Sequence, residues 1–220
     1  MKKPLIIIVL GKSGSGKGTQ AELVKEKLGL DYIGSGDLLR ARAKEKDFTG
    51  KEIAKRLAVG ALIPTPAIFK LWLDATEKLK DEKNFKGLVM DGNPRKILEA
   101  YLIDDALEFY GWDKNVKIIL VDISDKEAIW RLTKRRMCQD CKMLIPFVGE
   151  FRKMKKCPKC GGKLITRADD TIKSAKNRLK WFKTDVEPII DYYKKSGRLV
   201  KVDGEQSIEN VFKDILKVIK

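Results

Sequence analysis

Histidine is absent from this 220-residue chain. Imidazole is thereby excluded as a general base and as a metal ligand. Any catalysis must run on positioning, lysine, arginine, carboxylates and metal. Phosphoryl transfer is chemistry of that kind, because it rests mainly on positioning and charge stabilisation. Long apolar runs are also missing: none approaches the ~20 residues that a bilayer-spanning helix needs. The apolar run near the N-terminus is short and leads straight into a glycine-rich loop. No signal peptide is therefore expected, and the expected location is cytoplasmic. Neither an internal repeat nor a low-complexity segment interrupts the chain. Cysteine is scarce, and all 4 cysteines lie between residues 138 and 160. Acidic residues are outnumbered, 31 against 47 lysines and arginines, for a formal net charge of +16. Such a balance suits a nucleic-acid binder or an enzyme of small anionic substrates. The basic residues are spread among Glu and Asp rather than gathered in a tail, which argues against a dedicated nucleic-acid segment. A bias toward lysine on solvated faces would give the same total, so the charge alone decides nothing.

What is present is more specific. A hydrophobic content of 43% is ample for the core of one substantial domain. The run GKSGSGKGT, residues 11–19, follows an apolar stretch (residues 5–10) and precedes an amphipathic one containing Ala21, Leu23, Val24 and Leu28. Strand, glycine-rich loop and helix in that order form a phosphate cradle, with Gly11, Gly16 and Lys17 in register. Glycines let successive backbone N–H groups face one anion, the helix N-terminus adds its positive dipole end, and Lys17 adds a full charge. Gly18 departs from the generic motif, which has Ser or Thr there; Thr19 follows. The competing reading, a flexible Gly/Ser linker, does not account for the flanking strand and helix.

Strand and helix signals alternate along the chain, which implies a parallel sheet wrapped by helices. Strands are expected at 5–10, 88–90, 118–121 and 199–202, with a weaker one at Tyr32 and Ile33. Helices are expected at about 17–28, 36–45, 51–59, 66–80, 96–109, 125–136, 169–195 and 207–219. Thr65 before Pro66 reads as an N-cap, and so does Ser207. Residues 35–64 and 137–166 break the alternation, and each reads as an insert on the ligand edge of the sheet. The second insert holds Cys138, Cys141, Cys157 and Cys160 as C-x2-C, a 15-residue spacer and C-x2-C. That spacing matches a tetrahedral, structural zinc site. Gly161 and Gly162 are expected to supply positive-φ positions that turn amides toward sulfur. Iron, two disulfides or a redox pair are the alternatives. A zinc ribbon gripping nucleic acid is a further reading, since Arg135, Arg136, Lys153, Lys155 and Lys156 flank the cluster. The plainer one is a small insert that needs a metal staple.

Further motifs follow in order: SGDLLR at 35–40, DGNPR at 91–95, RLTKRR at 131–136 and TRADD at 166–170. With GKSGSGKGTQ, they make the chain resemble the adenylate kinase family of nucleoside monophosphate kinases over essentially its full length. In that family Gly and Thr also follow the P-loop lysine. The resemblance implies a P-loop three-layer α/β fold with a five-stranded parallel sheet. It implies a single kinase core over 1–220, a nucleoside monophosphate-binding insert at 35–64 and a zinc-binding lid at 137–166. The implied reaction passes the terminal phosphoryl group of ATP to AMP, giving two ADP, with magnesium.

The resemblance also assigns residues. Lys17, Arg95, Arg131, Arg135, Arg167 and Arg178 match phosphate-binding catalytic positions, where the guanidinium fork suits paired phosphate oxygens. Arg131 and Arg135 lie one helical turn apart and can face one site. The ATP side is assigned Gly14, Ser15, Gly16, Lys17, Gly18, Thr19, Arg131, Arg135 and Gln206. The acceptor side is assigned Ser35, Gly36, Arg40, Ile63, Gly92, Arg95, Glu99, Arg167 and Arg178, with Arg40 on the acceptor's phosphate. Thr19 and Asp91 match the magnesium positions, and the four cysteines match the metal ligands of the lid. Asp169 and Asp170 are expected to set the hinge arginines, whereas Arg136 reads as solvated surface charge. A monomer without nucleic-acid or membrane partners is implied.

Three departures from the family pattern stand out. Asn93 replaces an aromatic residue, and Ser35 replaces Thr but keeps the hydroxyl. Glu99 falls where the family places Gln. A Gln can both donate to and accept from adenine, whereas an ionised Glu only accepts. Guanine, with two adjacent donors, would suit it. GMP, CMP or UMP therefore stay open as acceptors, and a helix-surface role for Glu99 is the plainer alternative. A nucleic-acid-binding zinc-ribbon ATPase is the rival class.

Overall fold

The computed structural model describes residues 3–167 and 170–219. The chain runs β1 (Leu5–Leu10), α1 (Lys17–Leu28), β2 (Asp31–Gly34), α2 (Ser35–Arg42), α3 (Phe48–Ala58), α4 (Thr65–Lys80) and β3 (Gly87–Asp91). It continues through α5 (Ile97–Phe109), β4 (Val116–Asp122), α6 (Asp125–Lys134) and three short strands, β5 (Arg136–Cys138), β6 (Leu144–Ile145) and β7 (Leu164–Ile165). The remainder is α7 (Ile172–Trp181), a π-turn (Phe182–Val186), α8 (Glu187–Lys195), β8 (Leu199–Asp203) and α9 (Ile208–Ile219).

The main sheet is five-stranded and parallel, in the order β2-β3-β1-β4-β8. Its central strand is apolar on both faces, as strands covered by helices on each side must be. Ile6, Ile8 and Leu10 point to one core, with Trp72 of α4, Ile103 and Leu107 of α5 and Ile189 and Tyr193 of α8. Ile7 and Val9 point to the other, with Ala21 and Val24 of α1 and Val211 and Ile215 of α9. The register Val9↔Asp91 and Gly34↔Asp91 brings the carboxyl ends of β1, β3 and β2 to one edge. Ligand sites of open α/β sheets form along that edge. β5, β6 and β7 make a separate antiparallel sheet carrying the cysteines.

All five expected strands are present, each within about two residues of its expected ends. Helix ends differ more, for identifiable reasons. α6 stops at Lys134, because Arg136 already pairs with Ile145 in the small sheet. The helix expected at 169–195 begins at Ile172, where Thr171 caps it by accepting from the Ser174 amide at 3.1 Å. The π-turn then interrupts it. Thr65 does not cap α4; the helix begins one residue earlier, with Pro64 at the cap. The Thr65 hydroxyl turns instead toward Glu99, at 3.4 Å. Ser207 does cap α9, accepting from the Asn210 amide at 3.2 Å.

Ile8 is 0% exposed and Phe109 is 84% exposed. Ile8→Ala is expected to lower the unfolding free energy by ~2–5 kcal/mol, and Phe109→Ala to change it by less than ~0.5 kcal/mol. Urea denaturation of both variants checks the assignment of the core.

Candidate active site

The loop after β1 is shaped by backbone that only glycine adopts easily. Gly16 has φ 90° and ends the loop at the N-cap of α1. Gly16 offers no side chain to cap the helix, and the Lys17 amide makes only a long bond to Ser15 Oγ at 3.4 Å. Ser15 N donates to the Lys12 carbonyl at 3.0 Å, which closes the turn. Gly18 is explained by its neighbour: a Cβ there would stand 3.0 Å from Asp91 Oδ2. The larger residue of the generic motif would press on that carboxylate.

Every cation matched to a phosphate-binding position in the sequence faces one cleft. Lys17, Arg40, Arg95, Arg131, Arg135, Arg167 and Arg178 all line it. Gly14, Ser15, Gly16, Gly18, Thr19 and Gln206 line it too, as do Ser35, Gly36, Asp91 and Gly92. Lys17 registers the crowding. Desolvation brings its pKa down to about 8; Asp91 opposes the fall, and Arg95, Arg135 and Arg178 add to it. Cations gathered this closely need either local counter-charges or a polyanion among them.

Carboxylates hold the arginines in place. Asp170, whose side chain is 0% exposed, accepts a bidentate pair from Arg135 at 2.8 and 2.7 Å and a longer bond from Arg178 at 3.4 Å. Arg131 donates to Glu127 at 2.7 Å and to the Gly204 carbonyl at 2.9 Å. On the far side, Arg40 donates to Asp37 at 2.7 Å. Asp169 lies outside the described residues. Asp91 Oδ2 accepts from the Tyr32 hydroxyl at 3.3 Å. Its Oδ1 is buried and has no partner among the described residues. A carboxylate oxygen in that state, beside Thr19 and Lys17 on the cleft wall, suits a hydrated divalent cation.

Beyond Arg95 the cleft runs into a small side cavity lined by Ser35, Leu39, Ile63, Ile68, Arg95 and Glu99. Glu99 is not a helix-surface residue; it is 2% exposed. Its carboxylate accepts from the Arg95 amide at 2.7 Å and from the Thr65 hydroxyl at 3.4 Å. Burial raises its pKa, against the pull of the Arg95 amide and charge. Ser35 donates to the Gly92 carbonyl at 2.8 Å, and Arg95 Nε donates to the same carbonyl at 2.7 Å. Asn93 is buried, and its Oδ1 has no partner among the described residues.

The four thiol sulfurs of Cys138, Cys141, Cys157 and Cys160 lie within 4.8 Å of one another. The nearest pairs are 3.4 and 3.5 Å apart, far beyond the ~2.05 Å of a disulfide and close to the edge of a tetrahedron with ~2.3 Å metal–sulfur bonds. Burial disfavours the Cys138 thiolate, but the amides of Cys141 and Asp140 and hydrogen bonds from the Cys160 and Cys141 thiols together bring the thiol down to about 7. Two matching knuckles build the site. Lys142 after Cys141 and Gly161 after Cys160 have φ 62° and 73°. Gly162, expected to share that conformation, serves by close approach instead: a Cβ there would lie 2.9 Å from Cys138 Sγ. Arg136 is half-buried rather than a free surface charge. It donates to the carbonyls of Met154 at 2.7 Å and Phe151 at 3.0 Å, and so ties the insert together.

Lys12, Tyr32 and Trp181 escaped the sequence reading. Lys12 Nζ donates to the Ile123 carbonyl at 2.6 Å and lies 3.2 Å from Asp125, which anchors the loop to the start of α6. Its signal was a lysine inside a glycine-rich loop; Tyr32 and Trp181 carried none. The crowding around Lys17 gives a test. A lysine with its pKa lowered in the folded state destabilises the fold fully below pH ~8, and relief comes as pH rises toward the unfolded value. Lys17→Met is therefore expected to raise the melting temperature of the ligand-free chain at pH 7 by roughly 2–8 °C. A gain that persists undiminished at pH 10 would contradict the charge argument.

A family-wide sequence profile described as Adenylate kinase matches residues 9–198. An adenylate kinase of Chlamydia muridarum is 35% identical over 231 residues, covering 99% of this chain and 88% of its own. One from Archaeoglobus fulgidus is also 35% identical, with 97% of each chain covered. One from Caldicellulosiruptor bescii is 34% identical, over 97% of this chain and 98% of its own. The matched span runs from the phosphate loop past the cysteine insert and α7, so every cation of the cleft lies inside it, while Gly204 and Gln206 of the lining lie beyond it. This chain belongs to the adenylate kinase family.

Proposed function

We propose that this protein is an adenylate kinase in its own right, reversibly transferring the terminal phosphoryl group of ATP to AMP to give two ADP. The observation that carries the reading is the convergence of Lys17 and six arginines on one cleft. Two polyanions must be brought together there, and one cation alone would leave their repulsion largely uncompensated. An oxygen of the acceptor's phosphate forms the new bond to the donor's terminal phosphorus. The bond from that phosphorus to the bridging oxygen breaks, and the electron pair leaves with ADP. Lys17 and the amides of Gly14, Gly16, Gly18 and Thr19 hold the donor phosphates. Arg131 and Arg135 flank that side, with Gln206 beside the donor. Arg40 and Arg95 hold the acceptor's phosphate, and Arg167 and Arg178 stand between the two. Ser35, Gly36, Ile63, Gly92 and Glu99 surround the acceptor nucleoside. Thr19 and Asp91 would hold magnesium with its waters; when bound, that ion neutralises phosphate charge.

The residues group into a kinase core, an acceptor-binding insert at 35–64 and a lid at 137–166. The lid excludes water that would otherwise take the phosphoryl group. Its four thiolates close a tetrahedral shell with no open position, which fits a structural zinc. The reading places the enzyme in the cytoplasm, acting as a monomer. No helix among the described residues is long and apolar enough to cross a membrane.

A coupled assay with ATP, magnesium and each of AMP, GMP, CMP and UMP tests the acceptor. AMP is expected to lead by roughly tenfold or more in kcat/KM. A preference for GMP would overturn it and would assign Glu99, in place of Gln, to guanine; Glu99→Gln should then restore AMP. The lid has a separate test. Elemental analysis is expected to find one zinc per chain. Its removal by a thiol reagent should lower the melting temperature while leaving the far-UV signal of the core in place, because the cysteines staple only the small sheet.

A further inference from the structure

One face of α7 docks on the turn between α3 and α4. Ser174, Asn177 and Trp181 lie at i, i+3 and i+7 and so share that face. Trp181 Nε1 donates to the Gly60 carbonyl at 3.0 Å, and Asn177 Nδ2 donates to the Val59 carbonyl at 3.2 Å. Gly60 has φ 67°, and a Cβ there would stand only 2.4 Å from Ser174 Oγ. No other residue would let the turn approach this closely. The same indole has a second neighbour: the Arg95 guanidinium lies over its ring, 5.5 Å from the centroid. Arg95 is otherwise held by the Gly92 carbonyl and by the Ser35 hydroxyl at 3.3 Å. Gly60, Trp181 and Arg95 all line the main cleft.

We propose that Trp181 is a positioning residue for the acceptor. Through its N–H it latches the α3–α4 turn onto α7, and through its ring face it orients Arg95. One side chain thus couples docking of the acceptor segment to placement of the arginine that faces the acceptor's phosphate. A guanidinium over an indole is held flat by the ring's negative face, and the indole N–H at the ring edge remains free to bind the carbonyl. The π-turn starts at the next residue, Phe182. It changes the helical phase just beyond Trp181, so the docking face ends there.

The inference rests on the adenylate kinase reading and deepens it. Steady-state kinetics of the full chain with ATP and AMP test it, using Trp181→Phe, Trp181→Leu and Asn177→Ala. Trp181→Phe keeps a ring under Arg95 and loses the N–H. It is expected to raise the KM for AMP roughly three- to tenfold, the worth of one neutral hydrogen bond, with the KM for ATP moving less than about twofold. Asn177→Ala, which leaves the ring untouched, should also raise the KM for AMP. Trp181→Leu loses ring and N–H together and is expected to lower kcat beyond the phenylalanine variant, by roughly tenfold. A merely structural tryptophan would raise both KM values together or leave both alone, and either result would overturn the proposal. Equal kcat in the Phe and Leu variants would remove the Arg95 half of it. Absence of AMP turnover in the unmodified chain would instead sink the functional reading beneath it.

Discussion

Mutual repulsion among the cations of the cleft is the constraint that the surrounding structure answers. Arg95, Arg135 and Arg178 stand close enough to Lys17 to add to the fall in its pKa that burial causes, and Arg178 and Arg40 act in the same way on Arg95. Left to themselves they would swing apart into water. The arginines are instead tied down. Asp170, shut off from solvent, grips Arg135 and Arg178. Glu127 and a backbone carbonyl hold Arg131. Arg95 is fixed by Gly92, Ser35 and the Trp181 ring. Asp170 and Glu127 hold their arginines from outside the cleft lining, whereas Asp91 and Asp37 share the wall with the cations, which still outnumber them there. That arrangement stores the preference for a polyanion in the fold itself, because the phosphates complete a compensation that the protein leaves partial.

Such a grip needs a rigid base, and the parallel sheet provides it. β1 and β3 are buried on both faces, so the loop after β1 and Asp91 at the end of β3 hold fixed positions. Lys12 adds a tether from the loop to the start of α6. The two inserts are built more lightly. Helices α2, α3 and α4 close around Leu39, Ile53, Ile63 and Ile68, and the cysteine insert has only a three-stranded sheet. Parts with so little apolar core move more easily than the sheet. The enzyme reading requires that freedom of segments that admit substrate and then close over it.

The sheet, the phosphate loop, the cysteine site and the arginines that meet in the cleft were legible in the sequence. Each depends on local chemistry. Apolar runs between glycine turns make buried strands, glycines before a lysine make a tight turn into a helix, and paired C-x2-C knuckles bring four thiols together. Order and spacing of the short motifs then narrowed the family. Helix ends were less legible, because caps and interruptions such as Thr171 and the π-turn depend on what the next segment packs against.

What the tertiary structure alone decided is which groups stand beside one another. Arg136 looked like surface charge and is an internal tie, because the carbonyls it satisfies lie on the far side of the insert. Glu99 looked free to sit on a helix surface and is buried, held by an amide and a hydroxyl from two other segments. Gly18 looked like a flaw in a motif until the distance to Asp91 explained it. Trp181 carried no signal at all, since its partners lie 86 and 121 positions away in the chain. Sequence by itself determined the covalent order and the local conformations that follow from it. Contacts between distant segments were decided only when the chain closed, because hydrogen bonds and charge act over a few ångströms of space, whatever the separation along the backbone.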